Sequence, residues 1–412
     1  MRRQPLSRSG LSLLAWCLAL GSLAAPCSAE TSAETLAGMR QRVAALETLT
    51  AAPAVHAIDP EQASPRRIYF DALPYRGKPT RCFAWLGIPP SASGKLPAMV
   101  LVHGGGGTAF RKWVEEWNEH GYAAIAVAVE GQTDEPDGKK WWKQHEWAGP
   151  MRTGIYNDSA EPMEDQWMYH AVADVILANS LLRSLPQVDP QRVGLMGISW
   201  GGIITSTVIG IDRRFAFAVP TYGCGELTIA ADHFRQGTVD NTIYREVWEP
   251  TLRLQRATMP TLWLTFLYDK HFPLDAQQRS YRTATGPRMI AVVPDLQHGH
   301  GVAWNAPDSY AFADFVLADG KPWLRELRQS LENGRAAVEF ESAKPIERAV
   351  LLHTTDAGYT GNRKWIETPA ELKADGTTVR VAAVLPAETT AYFFNVRSGP
   401  LTASSEYVDL AD

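Results

Sequence analysis

Cysteine is scarce, with four in 412 residues. Cys17 and Cys27 lie in an N-terminal stretch that reads as a removable signal, which leaves Cys82 and Cys224 to the mature chain. Two thiols in a chain of this length form no disulfide framework, even in an oxidising compartment. Positive charge is also short, at 40 Lys and Arg against 45 Asp and Glu. Loss of Arg2, Arg3 and Arg8 with the signal leaves 37 against 45, a net charge of −8. That balance argues against nucleic acid or an anionic membrane as partner. Long apolar runs are missing too: the one over residues 11–23 is too short and too early for a membrane span. No internal repeat or low-complexity tract is present. What remains, 45% hydrophobic and 21% charged residues, describes a globular protein with a sizeable core. Its length fits one large domain plus a smaller one.

The first 29 residues carry a basic start, an apolar stretch and a small-residue cleavage site at Cys27-Ser28-Ala29. They predict a signal peptide cut after Ala29 and a periplasmic or secreted protein. Pro26 opposes a lipoprotein reading centred on Cys27. Residues 30–65 form an N-terminal arm, with Leu36, Met39, Val43, Leu46 and Leu49 at helical spacing. From residue 66 the pattern turns to strands. An alternating pair over 68–70 and 81–86 precedes wholly apolar runs over 98–103, 123–129, 193–196, 215–219, 262–267 and 289–293. Helical stretches separate these runs, including 109–120 and 162–185. Such alternation predicts an α/β fold, a mostly parallel sheet covered by helices on both faces. Two antiparallel strands leading into six of this kind is the α/β-hydrolase arrangement, spanning 66–333. A last core helix is expected over 310–317, with another over 323–331. Beyond 334, short alternating strands punctuated by Gly, Pro, Asp and Thr predict a small all-β sandwich over 334–412.

The chemistry centres on Gly197-Ile198-Ser199-Trp200-Gly201. This Gly-x-Ser-x-Gly stretch between a strand and a helix is a candidate nucleophile elbow, with Ser199 as nucleophile. A serine hydroxyl needs a base, and the base needs an orienting acid. Asp269 follows one buried run and His298 the next, the right elements in the right order. Asp275 and His300 are the competitors for acid and base. Upstream, His103-Gly104-Gly105-Gly106-Gly107 ends the first buried run. Glycines there let backbone approach a substrate carbonyl, so Gly105 (with Gly106 next) and the amide of Trp200 are the candidate oxyanion donors. His103 is expected to brace the loop. A metal reading of His298-Gly299-His300 lacks third and fourth ligands at usable spacing, and no cofactor or metal is expected. Cys224 should lie near the catalytic edge and Cys82 at the sheet's other end, unbridged.

Several stretches together resemble a known group. They are residues 165–174, Gly197-Ile198-Ser199-Trp200-Gly201-Gly202, Pro220-Thr221-Tyr222-Gly223-Cys224-Gly225 and His298-Gly299-His300. Over residues 65–320 the chain is similar to the acetyl-xylan-esterase-like branch of the dienelactone-hydrolase and prolyl-oligopeptidase-related α/β-hydrolases. The C-terminal module, with Ser404-Ser405-Glu406-Tyr407, also resembles one appended in such proteins. The resemblance implies a secreted serine esterase acting on acylated polysaccharides, and supports Ser199, Asp269 and His298. Trp200 stands where dedicated acetyl-sugar deacetylases usually carry Gln.

The long insert over 132–163 holds Trp141, Trp142, Trp147 and Tyr156. Flat indoles suit sugar rings as well as packing, so Trp141, Trp142 and Trp147 are candidate substrate contacts, or else staples of a lid. Arg152 is a candidate for a substrate uronate or for an internal acid. The leading expectation is a serine carboxylic-ester hydrolase that deacylates carbohydrate esters. The rivals are a prolyl-oligopeptidase-like peptidase, for which the arm is too short to form a propeller, and a non-catalytic carbohydrate-binding protein.

Overall fold

A computed structural model describes residues 34–89, 94–139 and 141–410. The expected signal, residues 1–29, lies outside the described residues. The arm begins with the helix Leu36–Ala45, whose Val43 is buried against the core.

The sheet starts with three strands in antiparallel succession, β1 (Val55–Ala57), β2 (Arg66–Tyr75) and β3 (Lys78–Gly87). β4 (Leu96–Val102) and β5 (Ala123–Val127) are apolar and almost wholly buried, as strands covered on both faces must be. β6 (Gln132–Pro136) and β7 (Trp142–Gln144) make a small hairpin inside the insert. β8 (Val188–Ile198), β9 (Phe217–Thr221), β10 (Thr261–Thr265) and β11 (Arg288–Val292) continue the sheet. Its order is β1-β2-β3-β5-β4-β8-β9-β10-β11. β3 meets β5 antiparallel, and every later pair through β11 is parallel. Crossover helices include Arg111–Glu119, the almost wholly buried Trp167–Ser184, and Trp200–Val208. Register places the chemistry: Val102 pairs with Gly197, and Ile198 with Thr221. The loops after β4, β8 and β9 therefore leave the sheet side by side.

The C-terminal strands are β12 (Leu324–Glu332), β13 (Arg335–Ser342), β14 (Arg348–Thr354), β15 (Ile366–Pro369), β16 (Glu371–Asp375), β17 (Thr378–Val384), β18 (Ala391–Ser398), β19 (Leu401–Ser404) and β20 (Val408–Asp409). β12-β13-β17-β16 form a separate antiparallel sheet. β19-β18-β14-β15 instead extend the main sheet, because β19 pairs antiparallel with β11 at Ile290 and Ser404. Ser404 Oγ accepts the Val292 N–H at 2.8 Å, and Asn395 donates to the Val292 carbonyl at 2.9 Å. Glu406 pairs with Arg282 and Arg288 from the catalytic side of this seam. The Ser404–Tyr407 segment is thus where the C-terminal strands join the sheet that leads to His298.

One expected helix is corrected. The strand β12, Leu324–Glu332, takes the place of the helix expected over 323–331, because Asn333 and Gly334 take positive φ of 49° and 73° and turn the chain back into β13. An Asn-Gly turn of that kind matches strand twist and sets a hairpin.

Candidate active site

The elbow is built by contact distances that leave no room for side chains. A Cβ on Gly197 would lie 2.0 Å from the Gly201 carbonyl oxygen, and one on Gly201 would lie 2.0 Å from that of Val102. Between them Ser199 is held at φ 57° and ψ −114°, outside the regions that L residues favour. Its N–H donates to the Thr221 carbonyl at 3.0 Å, which anchors the turn to β9.

His298 Nε2 lies 2.9 Å from Ser199 Oγ, and His298 Nδ1 lies 3.3 Å from Asp269 Oδ2. The other Asp269 oxygen accepts the backbone N–H groups of His271 and Phe272 at 2.8 and 3.0 Å. Asp269 is therefore fixed by its own loop with one oxygen left for the imidazole. Tyr222, Phe266, Phe272 and His271 surround the His298 ring. The Tyr222 hydroxyl donates to the Gly299 carbonyl and accepts the Gly299 N–H, which pins the base's loop. Tyr222 went unsingled in the sequence, although it directly follows β9 at the edge where the reacting groups gather.

The two competitors are engaged elsewhere. Asp275 accepts from Thr360 Oγ1 at 2.7 Å. His300 Nε2 accepts the Gly104 N–H at 2.9 Å. His103 holds the same glycine from the other side: its Nδ1 donates to the Gly104 carbonyl at 2.7 Å, while its Nε2 accepts from Val129 N–H and Gln132. Burial pushes both imidazoles down to about 4, so both are neutral at ordinary pH, as these acceptor roles require. Gly104 carbonyl and Gly105 N–H belong to one planar trans peptide and point in opposite directions. By gripping the carbonyl, His103 fixes where the Gly105 N–H aims.

The cleft around Ser199 has a volume of about 650 Å³ and is lined by Gly105, Arg152, Trp200, His233, Phe234, His271 and His298, among others. The buried Trp200 ring packs against Tyr156, Trp167 and Phe234, and Arg152 stacks over it at 5.0 Å. Arg152 is also paired with Glu130 at 3.0 Å. Burial raises the Glu130 carboxyl above its usual range, and Arg152 opposes that shift.

The three insert tryptophans divide. Trp142 donates to the Gly106 carbonyl at 3.0 Å and serves the glycine loop. Trp141 is 57% exposed and stands beside Gly106. Trp147 packs on Tyr69 with Arg81 over its ring at 4.3 Å. A π contact with a neighbouring strand explains that indole without a ligand. Cys82 and Cys224 are buried and unpaired.

A family model described as acetyl xylan esterase (AXE1) matches residues 41–249, just over half of the chain. The chain belongs to the acetyl xylan esterase family. It is a serine carboxylic-ester hydrolase of the α/β-hydrolase superfamily, acting on a small ester. The matched span holds the glycine loop, the insert and Ser199, and ends before Asp269 and His298. Acetyl xylan esterase 1 from Thermoanaerobacterium sp. JW/SL YS485 is 18% identical with a TM-score of 0.51, over 64% of this chain and 88% of its own. The acetyl xylan esterase from Paenibacillus sp. R4 is 19% identical with a TM-score of 0.49, over 63% of this chain and 88% of its own. At these identities the likeness concerns the fold. No helix among the described residues is long and apolar enough to cross a membrane.

Proposed function

We propose that this esterase deacylates carbohydrate esters, acetyl esters first among them, through a Ser199-His298-Asp269 triad and an acyl-enzyme. The observation that carries the reading is the chain of contacts from Ser199 Oγ through both His298 nitrogens to Asp269. His298 Nε2 takes the serine proton as Oγ attacks the ester carbonyl, and returns it to the departing sugar oxygen. Asp269 holds the ring in the Nδ1–H tautomer and stabilises its charged form. The oxyanion is received by the Gly105 and Trp200 N–H groups, the latter at the start of a helix whose dipole favours negative charge. A water activated by His298 then releases the acid.

Carbohydrate as the alcohol part is supported by Trp141, an exposed indole beside the glycine loop that offers a flat face to a sugar ring. Residues 1–29 support export of the enzyme to the periplasm or beyond. The test is Ser199→Ala against wild type on a panel of acetylated, methyl-uronate and feruloyl sugars, with released acid or alcohol measured. A drop in kcat of about 10⁶-fold is expected. Near-native hydrolysis of an acetyl ester by that variant would end the assignment.

A further inference from the structure

At the rim of the cleft stand three groups that ester hydrolysis does not use. Asp232 caps the helix His233–Thr238, its Oδ1 accepting the Phe234 N–H at 3.0 Å. That leaves Oδ2, and two imidazoles converge on it: His233 Nδ1 at 3.4 Å and His271 Nδ1 in closer contact. One ligand atom from each of the three lies within 4.8 Å of the others. The loop after β10 delivers His271, because Asp269 binds its backbone N–H. The His271 ring stands 5.0 Å from that of His298.

We propose that Asp232, His233 and His271 bind a divalent transition-metal ion of the zinc class beside the catalytic groups. Two imidazole nitrogens and one carboxylate oxygen are the donors such ions take, whereas calcium and magnesium call for oxygen shells. Bonds of about 2.0–2.1 Å at tetrahedral angles separate ligand atoms by roughly 3.3 Å. The His233–Asp232 pair already matches that spacing and the closer His271–Asp232 contact must open to reach it, so the cluster needs a small adjustment. Its freedom to make one is clear: the His233 side chain is 55% exposed and that of His271 36%. Among the described residues no hydrogen bond reaches either Nε2. Three protein ligands leave a fourth position, and His233 and His271 both line the cleft that holds Ser199. A substrate oxygen or a water takes that position. The sequence held no sign of this site, since Asp232-His233 and His271 meet only through the fold.

The test is calorimetric titration of zinc into the chelator-stripped protein. One equivalent with micromolar or tighter affinity is expected. His233→Ala and His271→Ala should each weaken binding by at least about tenfold, as should Asp232→Asn, which keeps the helix cap. Ser199→Ala should bind zinc like wild type, so that this result stands apart from the fate of the esterase assignment. Absence of zinc binding, preference for magnesium, or undiminished affinity in His233→Ala would overturn the proposal. His233 is mostly exposed, and its variant does not depend on the fold tolerating a change at His271.

Discussion

His298 and His300 are two residues apart, and the sharpest prediction is how unequal their removal should be. His298→Ala takes away the group 2.9 Å from Ser199 Oγ. Loss of the base in a triad costs nearly as much as loss of the nucleophile, about 10⁶-fold in kcat. His300→Ala takes away the acceptor of the Gly104 N–H. An unsatisfied buried N–H costs about 1–3 kcal/mol. If all of that falls on the transition state, the rate drops about 5- to 150-fold. Even the upper figure leaves a gap of about four orders of magnitude. His300→Gln, which keeps an acceptor, should recover part of the smaller loss. The pH profile adds a second reading. Protonation of His300 as pH falls through about 4 turns its acceptor into a donor, so the wild-type oxyanion loop should loosen there. A His300→Ala enzyme already lacks that bond and should lose this component of the acid limb. The assay is kcat on a chromogenic acetyl ester, with circular dichroism to confirm folding. If His300→Ala matched Ser199→Ala while His298→Ala stayed active, the assigned base and the loop role of His300 would both fall.

Two further outcomes follow from buried neighbours. Gly105→Ala would place a Cβ 2.9 Å from Trp200 Cδ1 and 3.2 Å from Arg152 Nη2; a fall in kcat of about 10²-fold is expected on misplacing an oxyanion donor, and an unchanged kcat would remove Gly105 from that role. Burial raises the Asp174 carboxyl to about 8 from 3.8, so between those values the native state holds a proton that the unfolded chain has released. Its stabilising contribution is full below 3.8 and is lost as pH rises through about 8. Asp174→Asn should therefore gain melting temperature relative to wild type from pH 5 to pH 8. His103 and His300 titrate the opposite way but in both proteins, so a variant-minus-wild-type difference flat with pH would refute the account.

The parts legible in the sequence are those whose requirement is local. A turn in which a Cβ at Gly197 or Gly201 would lie 2.0 Å from a backbone oxygen admits only glycine, so the elbow can be read from five residues. Strand ends locate Asp269 and His298, because the parallel sheet gathers its loops on one edge. What His300 does was not legible, since its ring leaves the same loop as that of His298 while its partner, the Gly104 N–H, comes from the loop after β4. Leu324, Leu327 and Leu331 have helical spacing, but Asn333-Gly334 was the stronger signal, and pairing with β13 overrode the spacing. The three indoles of the insert could not be ranked, because packing on Tyr69 and Arg81 and exposure beside Gly106 are written in the same residue type.

Arg152 shows how the fold decides between two sequence readings. Its Nε is held by Glu130 and its Nη1 by the Gly154 carbonyl, so the internal acid is the partner it has. Glu130 is buried, and a lone carboxylate there would be costly; the pair removes that cost and places a cation over the Trp200 ring. Nη2 is the edge left beside Gly105. The cleft therefore faces substrate with the Nη2 edge of a neutralised pair and not with a free positive charge. A substrate carboxylate would have to compete with Glu130 for Arg152, whereas an uncharged acyl group such as acetyl meets no such competition. The residue after the nucleophile thus shapes the site through its ring: Trp200 forms a wall whose outer face is already occupied by a cation.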